Sequence, residues 1–407
     1  MKKKLAMLLM MAVMLSAVAC GKDAPANAES EAPAAEEEET PAEESGGTDE
    51  TGKEQEGGEL PAPESFKIAY IDAAPGDSSQ QAMYDGAKTV VEAAGGEMIM
   101  VESGHDADAL VTGVEDAISA GADGIMFTPP ADSVLPTVTK LCEEAEVYFA
   151  ITFRSIQDEQ VKEIVEASPY YAGNTYEQEY DGGYYVTELL AKSGVKQLAF
   201  ISLNKGDNTA DAREAGMKKA CEENNIEIIG ELRAPAQPSV ATEALESWIA
   251  TYPDLDGFAL VSCQTAGVFE AVATTIETNG KAGQIKFGSC DFSNDMVSGF
   301  ESGVLTALCG GHAIADRTFC AVILTNAVMG TPLSDGPSSI LVPFLYVDKA
   351  EDAQAYQDYM LGGTPFYTEE ECRELLLGYY HEGLDLEQVQ KTASDFSIED
   401  VKTRHSN

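Results

Sequence analysis

The stretch Ala-Gly-Ala-Asp-Gly-Ile-Met-Phe-Thr-Pro-Pro, residues 120–130, contains the pattern that decides the fold. Glycine and aspartate precede a short apolar run and two prolines follow it, which is typical of a buried strand. Similar runs recur roughly every 25–30 residues from Phe66 onward. The predicted strands are Lys67–Asp72, Met98–Glu102, Gly124–Thr128, Tyr148–Phe153, Leu198–Leu203, Glu227–Leu232, Phe258–Ser262, Ile285–Ser289 and Leu305–Cys309.

Amphipathic helical patterns lie between the predicted strands. Met83, Ala87, Val90, Val91 and Ala94, for example, fall on one face of a helix. Continuous apolar strands separated by helices predict parallel sheets covered on both faces, a doubly wound α/β architecture. Residues 66–407 are too many for one hydrophobic core, so the sequence predicts two such units with a ligand cleft beyond the carboxyl ends of their strands. Hinge closure around a ligand would follow from that arrangement.

Several passages, taken in order and spacing, carry a family resemblance. The passages are Phe-Lys-Ile-Ala-Tyr at 66–70, Ala-Gly-Ala-Asp-Gly-Ile at 120–125 with Thr-Pro-Pro at 128–130, Ala-Arg-Glu-Ala-Gly-Met at 212–217, Tyr-Pro-Asp-Leu-Asp-Gly at 252–257, Gly-Ser-Cys-Asp at 288–291 and Leu-Val-Pro at 341–343. With these passages the chain from Phe66 to about Val347 resembles the type 1 periplasmic binding proteins, the family of ribose- and galactose-binding proteins, which are related to the effector domains of LacI-like repressors.

The resemblance implies two doubly wound parallel-sheet lobes joined by three hinge crossings. The crossings would fall near 168–172, 310–311 and 338–343. Lobe one would then comprise residues 66–170 and 311–338, and lobe two residues 171–310 and 339–350. Residues 351–407 are expected to form a C-terminal helical extension. Its last part, 366–407, reads as two short helices, with cap signals at Thr368-x-x-Glu371 and Ser397-x-x-Asp400.

The first 20 residues read as an export signal. Three lysines precede an apolar run from Leu5 to Val18, which is shorter than the roughly 20 apolar residues that a membrane span needs. Cys20 follows Ala-Val-Ala, and this junction resembles the lipobox of bacterial lipoproteins, although the family pattern prefers Leu where Ala17 stands. The resemblance implies a lipid-modified Cys20 that anchors the protein to the outer face of the cell membrane. An ordinary signal peptide with an incidental cysteine is the alternative.

Residues 21–65 are expected to form a disordered acidic tether. The segment has 15 acidic residues against Lys22 and Lys53, and its only large aliphatic residue is Leu60. Such a composition buries too little apolar surface to offset the entropy of ordering. The tether would hold a folded domain away from the membrane, and an acidic recognition tail is the alternative.

The composition and the motifs of the chain argue against several classes of function. A formal net charge of −45 argues against nucleic-acid binding, which needs clustered Lys and Arg. Seven cysteines besides Cys20 show neither zinc spacing nor a disulfide framework and are expected to pack mostly as small hydrophobic side chains. We therefore expect no metal and no cofactor. Familiar catalytic motifs are missing, so the chain is predicted not to be an enzyme; a Cys309 thiol activated by nearby His312 is the alternative.

The family resemblance also implies which side chains would contact a ligand. Sugar recognition needs bidentate hydrogen-bonding groups for adjacent hydroxyls and an aromatic face for the ring. Arg154 stands near the family's Asp-Arg pair, Arg213 at its helix-start arginine and Asp291 at its Gly-x-Asp carboxylate. The expected ligand contacts are Arg154, Arg213, Asp291, Thr128, Asn174, Gln264, Phe153 and Tyr176.

Most of these residues have an alternative role. Either arginine could form a salt bridge, and Asp291 could cap a helix. Asn174 could serve a turn, and Tyr176 belongs to a tyrosine cluster that could pack a helix on its sheet. Thr128 stands where ribose-binding relatives usually have Asn, and the expected Asn and Phe after the first strand are missing.

These observations predict an extracytoplasmic, lipid-anchored solute-binding protein that delivers a small polar ligand, a sugar, to an ABC import permease. We expect a monomer that does not bind nucleic acid. A receptor that presents its ligand to a membrane sensor or chemoreceptor is an alternative. Nucleosides and other non-sugar solutes are a further alternative, and two arginines would also suit a carboxylated or phosphorylated ligand.

Overall fold

The computed structural model describes residues 65–104, 106–262 and 267–405. The export signal with Cys20, residues 21–64 of the tether, and Gln264 lie outside the described residues. Among the described residues, no helix combines the length and the apolar character needed to cross a membrane.

Within those ranges, twelve strands form two sheets of six. The first sheet has the order β11-β5-β4-β3-β1-β2 and the second the order β12-β10-β9-β8-β6-β7. Neighbouring strands are parallel, apart from the antiparallel pair β10–β12. The strands are β1 (Lys67–Asp72), β2 (Glu97–Glu102), β3 (Gly124–Phe127), β4 (Tyr148–Ile151), β5 (Tyr171–Tyr176), β6 (Gln197–Ser202), β7 (Glu227–Arg233), β8 (Gly257–Leu260), β9 (Lys286–Cys290), β10 (Leu305–Gly310), β11 (Ser338–Leu341) and β12 (Leu345–Val347).

Helices cover the sheets and continue beyond the last strand. A 3₁₀ turn at Asp132–Val134 precedes the third helix. The helices are α1 (Ser78–Ala93), α2 (Ala107–Ser119), α3 (Leu135–Ala145), α4 (Glu159–Glu166), α5 (Glu179–Lys192), α6 (Asn208–Asn224), α7 (Pro238–Thr251), α8 (Val268–Thr278), α9 (Met296–Glu301), α10 (His312–Val328), α11 (Ala350–Met360), α12 (Glu369–Leu375), α13 (Leu386–Asp395) and α14 (Ile398–His405).

The predicted doubly wound architecture of two parallel-sheet lobes is confirmed. Each of the nine predicted strands corresponds to an observed one, with ends shifted by two residues or fewer. β3 shows why the pattern is reliable: all four of its residues are buried, as expected for a central strand covered on both faces. We call the first sheet and its helices lobe one, and the second sheet and its helices lobe two.

One of the three crossings lies further along the chain than expected. β5 belongs to the first sheet, so the chain leaves lobe one after Tyr176 and not at 168–172. β11 pairs with β5, so the return to lobe two follows Leu341, within the expected range 338–343. The two hinge strands are packed so closely that a Cβ at Gly173 (φ +139°) would lie 1.8 Å from the Ser338 carbonyl oxygen. Between β10 and α10, the chain passes from the second sheet to the helix that packs on the first at Gly310–Gly311.

Three helices follow Phe366, where two were expected. The two cap signals are confirmed: Thr368 and Glu371 form a reciprocal capping box at α12, and the Ser397 hydroxyl accepts the Asp400 amide at 3.0 Å. α12 packs against α1 and α13 against β11, so this part of the extension covers lobe one. The six described cysteines are buried and free, in agreement with their expected role as small core side chains.

Candidate ligand cleft

A cavity of about 510 Å³ lies between the two lobes, at the carboxyl ends of their parallel strands. This volume is in the range usual for small-molecule sites, and the location is where open parallel sheets bind ligands. Polar and aromatic side chains from both lobes line it. They include Tyr70, Asp72, Ser79, Thr128, Phe153, Arg154 and Arg317 from lobe one, and Glu179, Arg213, Phe269, Glu270, Asp291 and Phe292 from lobe two.

The lobe-one wall is organised around Arg317 of α10, which is only 5% exposed. Its guanidinium donates to the Tyr70 hydroxyl at 2.7 Å, the Thr128 hydroxyl at 2.8 Å and an Asp72 carboxylate oxygen at 2.6 Å, and it also contacts Thr152. Burial by itself lowers the pKa of Arg317, but the neighbouring Tyr70 and Asp72 raise it above its ordinary value. Burial raises the pKa of Tyr70 to about 12. Arg317 is therefore a fixed cation whose charge Asp72 balances.

The lobe-two wall repeats this design around Arg213 of α6, which is 1% exposed. Its Nε donates to Glu179 of α5 at 2.6 Å and its Nη1 to Asp291 at 2.9 Å, while the Ser262 hydroxyl donates to the other Asp291 oxygen at 2.8 Å. Burial pushes the pKa of Asp291 upward, but the charge of Arg213 holds it below its usual value. For Glu179, burial outweighs the same arginine, and its pKa is raised. The lobe-two wall thus places one arginine between two carboxyl groups.

Backbone strain occurs at equivalent places in the two lobes. β4 and β9 hold the same position in their sheets, and Phe153 and Asp291 follow them with φ of 62° and 70°. The left-handed region is uncommon for residues other than glycine and costs energy, and such residues concentrate at binding sites. The lobes share other details: the side chains of Asp123 and Asp256 accept backbone amides from the neighbouring strand segments.

Aromatic rings supply apolar surface inside the cleft. The Phe153 ring lies over the Arg317 guanidinium, with 4.3 Å between its centroid and the guanidinium carbon. Phe269 and Phe292 line the lobe-two side of the cleft, and Tyr356 contacts Phe292 edge to face. A cleft with buried hydrogen-bonding groups and ring faces can hold a molecule that is polar at its edges and apolar on one face.

The charges that line the cleft do not favour an anion. Five carboxyl groups face three arginines, and two of those arginines are already paired. The five are Asp72, Asp77, Glu179, Glu270 and Asp291. Arg154 lines the cleft, and in the described part of the chain its guanidinium has no hydrogen bond or ion pair.

Five of the eight residues expected to contact a ligand line the cavity: Thr128, Phe153, Arg154, Arg213 and Asp291. Asn174 and Tyr176 do not line it. The Asn174 amide donates to the Arg154 carbonyl at 2.9 Å and its oxygen accepts from the Ser339 hydroxyl at 2.6 Å, so Asn174 joins the hinge strands to the Arg154 loop. Asp291 is not a helix cap, because Asp295 holds the N-cap position of α9. Gln264 lies outside the described residues.

Sequence reasoning missed Arg317, Asp72 and Glu179. A signal for Arg317 was present, because Asp316-Arg317 interrupts a helix whose other residues from Ile314 to Ala327 are small, apolar or neutral. A charged pair in a buried helix is seldom tolerated unless other groups compensate it. That pattern could have identified α10 as a contributor to a polar site.

Buried titratable groups surround the hinge crossings. Burial raises the pKa of Asp316 to about 6, and burial together with the nearby Asp316 raises the pKa of Glu177 well above its usual value. The Asp316 carboxylate accepts the Phe153 amide at 3.1 Å. Burial and the neighbouring Arg213 lower the pKa of His312 to about 3, so this imidazole is neutral. Burial at the hinge therefore disfavours the charged form of each of these three side chains.

The alternative of a thiol nucleophile at Cys309 is not supported. Cys309 is fully buried and does not line the cavity, and burial raises the pKa of its thiol well above the ordinary value. A reactive cysteine needs a lowered pKa and access to substrate. Among the described residues, no group of three or more His, Cys, Asp or Glu side chains could hold a metal ion.

Comparison with known proteins gives one family and many similar folds. A family model described as a periplasmic binding protein domain matches residues 68–330. No curated protein matches the chain. The solved structures that resemble it include an ABC transporter periplasmic solute binding protein from Actinobacillus succinogenes 130z with bound D-allose. The two chains share 19% identity with a TM-score of 0.60, over 72% of this chain and 100% of that one.

Two other solved structures extend this likeness. An ABC transporter solute binding protein from Bacillus halodurans C-125 with bound myo-inositol has 17% identity and a TM-score of 0.58, over 72% of this chain and 98% of that one. One from Agrobacterium vitis bound to α-D-tagatopyranose has 20% identity and a TM-score of 0.59, over 70% and 95%. Similarity at identities this low establishes a common fold but does not identify the ligand of this chain.

Proposed function

The chain belongs to the family of periplasmic binding protein domains, and from this membership we propose that it is an extracytoplasmic binding protein that captures a small neutral sugar or polyol between its lobes. The observation that carries the proposal is the pair of facing walls, each built on a buried arginine held by carboxyl groups. Such groups present donors and acceptors in fixed positions, which is what adjacent hydroxyls require.

The electrostatics support a neutral ligand. Arg213 is paired with Glu179 and Asp291, and Arg317 is paired with Asp72. Of the three arginines that line the cleft, only Arg154 could therefore form an ion pair with an anionic ligand. A carboxylated or phosphorylated molecule would meet five carboxyl groups in the lining, and repulsion in a desolvated site would oppose its binding. We therefore favour sugars and polyols over sugar acids and sugar phosphates.

The arrangement of the walls supports binding by closure. Each lobe contributes one arginine cluster and at least one ring, so a ligand would contact both lobes at once. A ligand with contacts to both lobes stabilises the closed arrangement by its difference in affinity for the closed and open forms. Closure would also remove water from the buried polar groups, which strengthens their interactions.

Delivery to an ABC permease and attachment by a lipid complete the proposal. Several solved structures of this fold are described as ABC transporter solute binding proteins, which supports a role in import. The lipobox-like Ala-Val-Ala-Cys ending at Cys20 supports a lipid anchor at the outer face of the membrane. We propose no catalytic step.

A thermal-shift panel tests the ligand class. The panel contains D-allose, D-ribose, α-D-tagatose and myo-inositol, with gluconate, ribose 5-phosphate and adenosine as the competing classes. A ligand at about 100 times its Kd adds about 2.7 kcal/mol of stability, so a true ligand gives a clear upward shift. We expect the shift from a neutral sugar or polyol. A shift given by the sugar acid, the phosphate or the nucleoside alone would contradict the proposal.

A further inference from the structure

The helix α11 lies outside the segment that the family model matches, yet it reaches the ligand cleft. The match ends at residue 330, and α11 spans Ala350–Met360. One of its residues, Tyr356, lines the cavity while being only 3% exposed. An aromatic side chain that is buried on one side and faces a cavity on the other forms part of the wall of that cavity.

Tyr356 contacts lobe two and the second crossing. Its ring meets that of Phe292, just beyond β9, edge to face with 4.8 Å between centroids. A Cβ added to Gly311 would lie 2.9 Å from the Tyr356 ring, which shows how closely the ring covers this crossing. The next residue, Gln357, donates from its amide to the Asn294 carbonyl at 2.8 Å, and α11 packs against α9. Tyr356 and Gln357 therefore hold the loop of residues 292–294, which lines the cleft.

Tyr356 also contacts lobe one. Its hydroxyl lies beside the side chain of Ser79, in the first turn of α1, and near the charge of Asp77. Ser79 and Asp77 both line the cleft. A single side chain thus contacts the cleft wall of each lobe.

The rest of the extension is fixed to lobe one. The Arg373 Nε donates to the Ala93 carbonyl at 2.8 Å, and the Asn326 amide donates to the Leu376 carbonyl at 2.8 Å. Gln390 forms two hydrogen bonds of 2.9 Å with the backbone of Leu341. The chain therefore leaves β12 of lobe two, passes through α11 and ends on lobe one, which makes a fourth connection between the lobes.

We propose that α11 is a structural part of the ligand site and that Tyr356 is a positioning residue that couples the two walls of the cleft. The inference rests on the proposed function for its ligand, but the coupling itself does not require one. Loss of the Tyr356 hydroxyl would free the start of α1 from α11, and loss of the ring would also free the 292–294 loop.

Amide hydrogen exchange in the full, ligand-free chain tests the coupling directly. Tyr356→Phe removes the hydroxyl and keeps the ring. We expect exchange at residues 78–81 to become about fivefold faster, the change that corresponds to a lost polar contact of about 1 kcal/mol. Tyr359→Phe, the same change on the same helix at a residue outside the cavity lining, should leave exchange there as in the wild type. Unchanged exchange in Tyr356→Phe would overturn the coupling.

A second variant and a binding measurement complete the test. Tyr356→Leu removes the ring and should also speed exchange at residues 292–294; if it does not fold, Tyr356→Phe still decides the question. Calorimetry with the panel sugar that gives the largest thermal shift should show about fivefold weaker binding for Tyr356→Phe and none of this loss for Tyr359→Phe. If no panel member binds, the proposed ligand class fails while the exchange result still stands. Faster exchange with unchanged affinity would refute the role of Tyr356 in the site.

Discussion

Arg213 is enclosed by the carboxyl groups of Glu179 and Asp291, and the buried charges of these three side chains depend on one another. At 1% exposure, a guanidinium has lost its hydration, and Glu179 and Asp291 replace water with charge and hydrogen bonds. A buried pair contributes little net stability, because desolvation of both ions opposes their attraction. Removal of one partner is different, since the remaining charges stay buried without compensation.

Arg213→Met should therefore destabilise the fold strongly. Because Glu179 and Asp291 would remain without their cation, we expect a loss of about 3–5 kcal/mol in the free energy of unfolding, measured by urea denaturation. Lys192→Met is the matched control, since it removes a cation from an exposed i,i+4 pair with Glu188 and should cost less than about 1 kcal/mol. Equal effects of the two substitutions would show that Arg213 does not compensate buried charge.

Asp316 at the hinge predicts a pH dependence of stability. Burial raises its pKa from an ordinary 3.8 to about 6, so folding favours the protonated form. The stability that this group contributes is complete below about pH 4 and is lost as the pH rises through about 6, by on the order of 3 kcal/mol. Glu177, whose pKa is also raised, acts in the same direction.

Asp316→Asn should remove this contribution, because an amide has no proton to lose and its oxygen can still accept the Phe153 amide. Glu371, whose pKa is lowered to about 2, acts in the opposite direction, so the informative quantity is the difference between variant and wild type. We expect Asp316→Asn to gain stability relative to the wild type as the pH rises from 4 to 7 in urea denaturation. A constant difference over that range would show that Asp316 keeps its ordinary pKa in the fold.

At the scale of single residues, the sequence identified Arg213 and Asp291 because both belong to short passages with a recognisable pattern. It missed Arg317 and Asp72, which lie 245 positions apart and meet only in the folded chain. Asn174 was expected to contact a ligand, with a role in a turn as the alternative. Its amide is turned to the Arg154 carbonyl and Ser339 instead, since the two hinge strands hold it there.

At the scale of the elements, the backbones of α5 and α6 are in direct contact, and this contact positions the side chains of the lobe-two wall. A Cβ on Gly216 would lie 1.9 Å from the Tyr180 carbonyl oxygen, and one on Gly183 would lie 1.9 Å from the Arg213 carbonyl oxygen. This close approach allows Glu179 at the start of α5 to reach Arg213 on α6 at 2.6 Å.

Gly216→Ala should separate these helices. Because the methyl group would meet backbone atoms that cannot move independently, we expect a loss of at least about 1–3 kcal/mol in thermal or urea unfolding. Gly336→Ala is the control, since no heavy atom lies within 4 Å of the added methyl group, and its effect should stay within about 1 kcal/mol. If Gly216→Ala were as stable as the control, the α5–α6 contact would have to be looser than described.

Sequence patterns predict some of the strands better than others. The nine strands that were recognised, in the two sheets together, carry mostly apolar runs. β5, β11 and β12 were missed because they are short or contain polar residues such as Asn174, Ser338 and Ser339. These strands adjoin the crossings, and because β5 was missed the first crossing was placed too early in the chain.

For the whole molecule, the proposed anchor predicts where the protein is found. Cys20→Ala should move it from the membrane fraction to the soluble extracytoplasmic fraction, because the acyl chains that a lipobox cysteine acquires would be lost. Ser16→Ala, within the same export signal, is the control and should stay in the membrane fraction. The fractions are compared by immunoblotting of cells that express each form. Retention of Cys20→Ala at the membrane would contradict lipid anchoring at this residue.

Closure of two lobes around a neutral sugar or polyol is the central claim, and the measurement that tests it most directly is small-angle X-ray scattering of the full chain. The radius of gyration is compared without ligand and with a saturating mixture of D-allose, D-ribose, α-D-tagatose and myo-inositol. We predict that the mixture reduces the radius of gyration, because a ligand held by the Arg213 and Arg317 walls draws the lobes together. An unchanged radius in the presence of the mixture would contradict the claim.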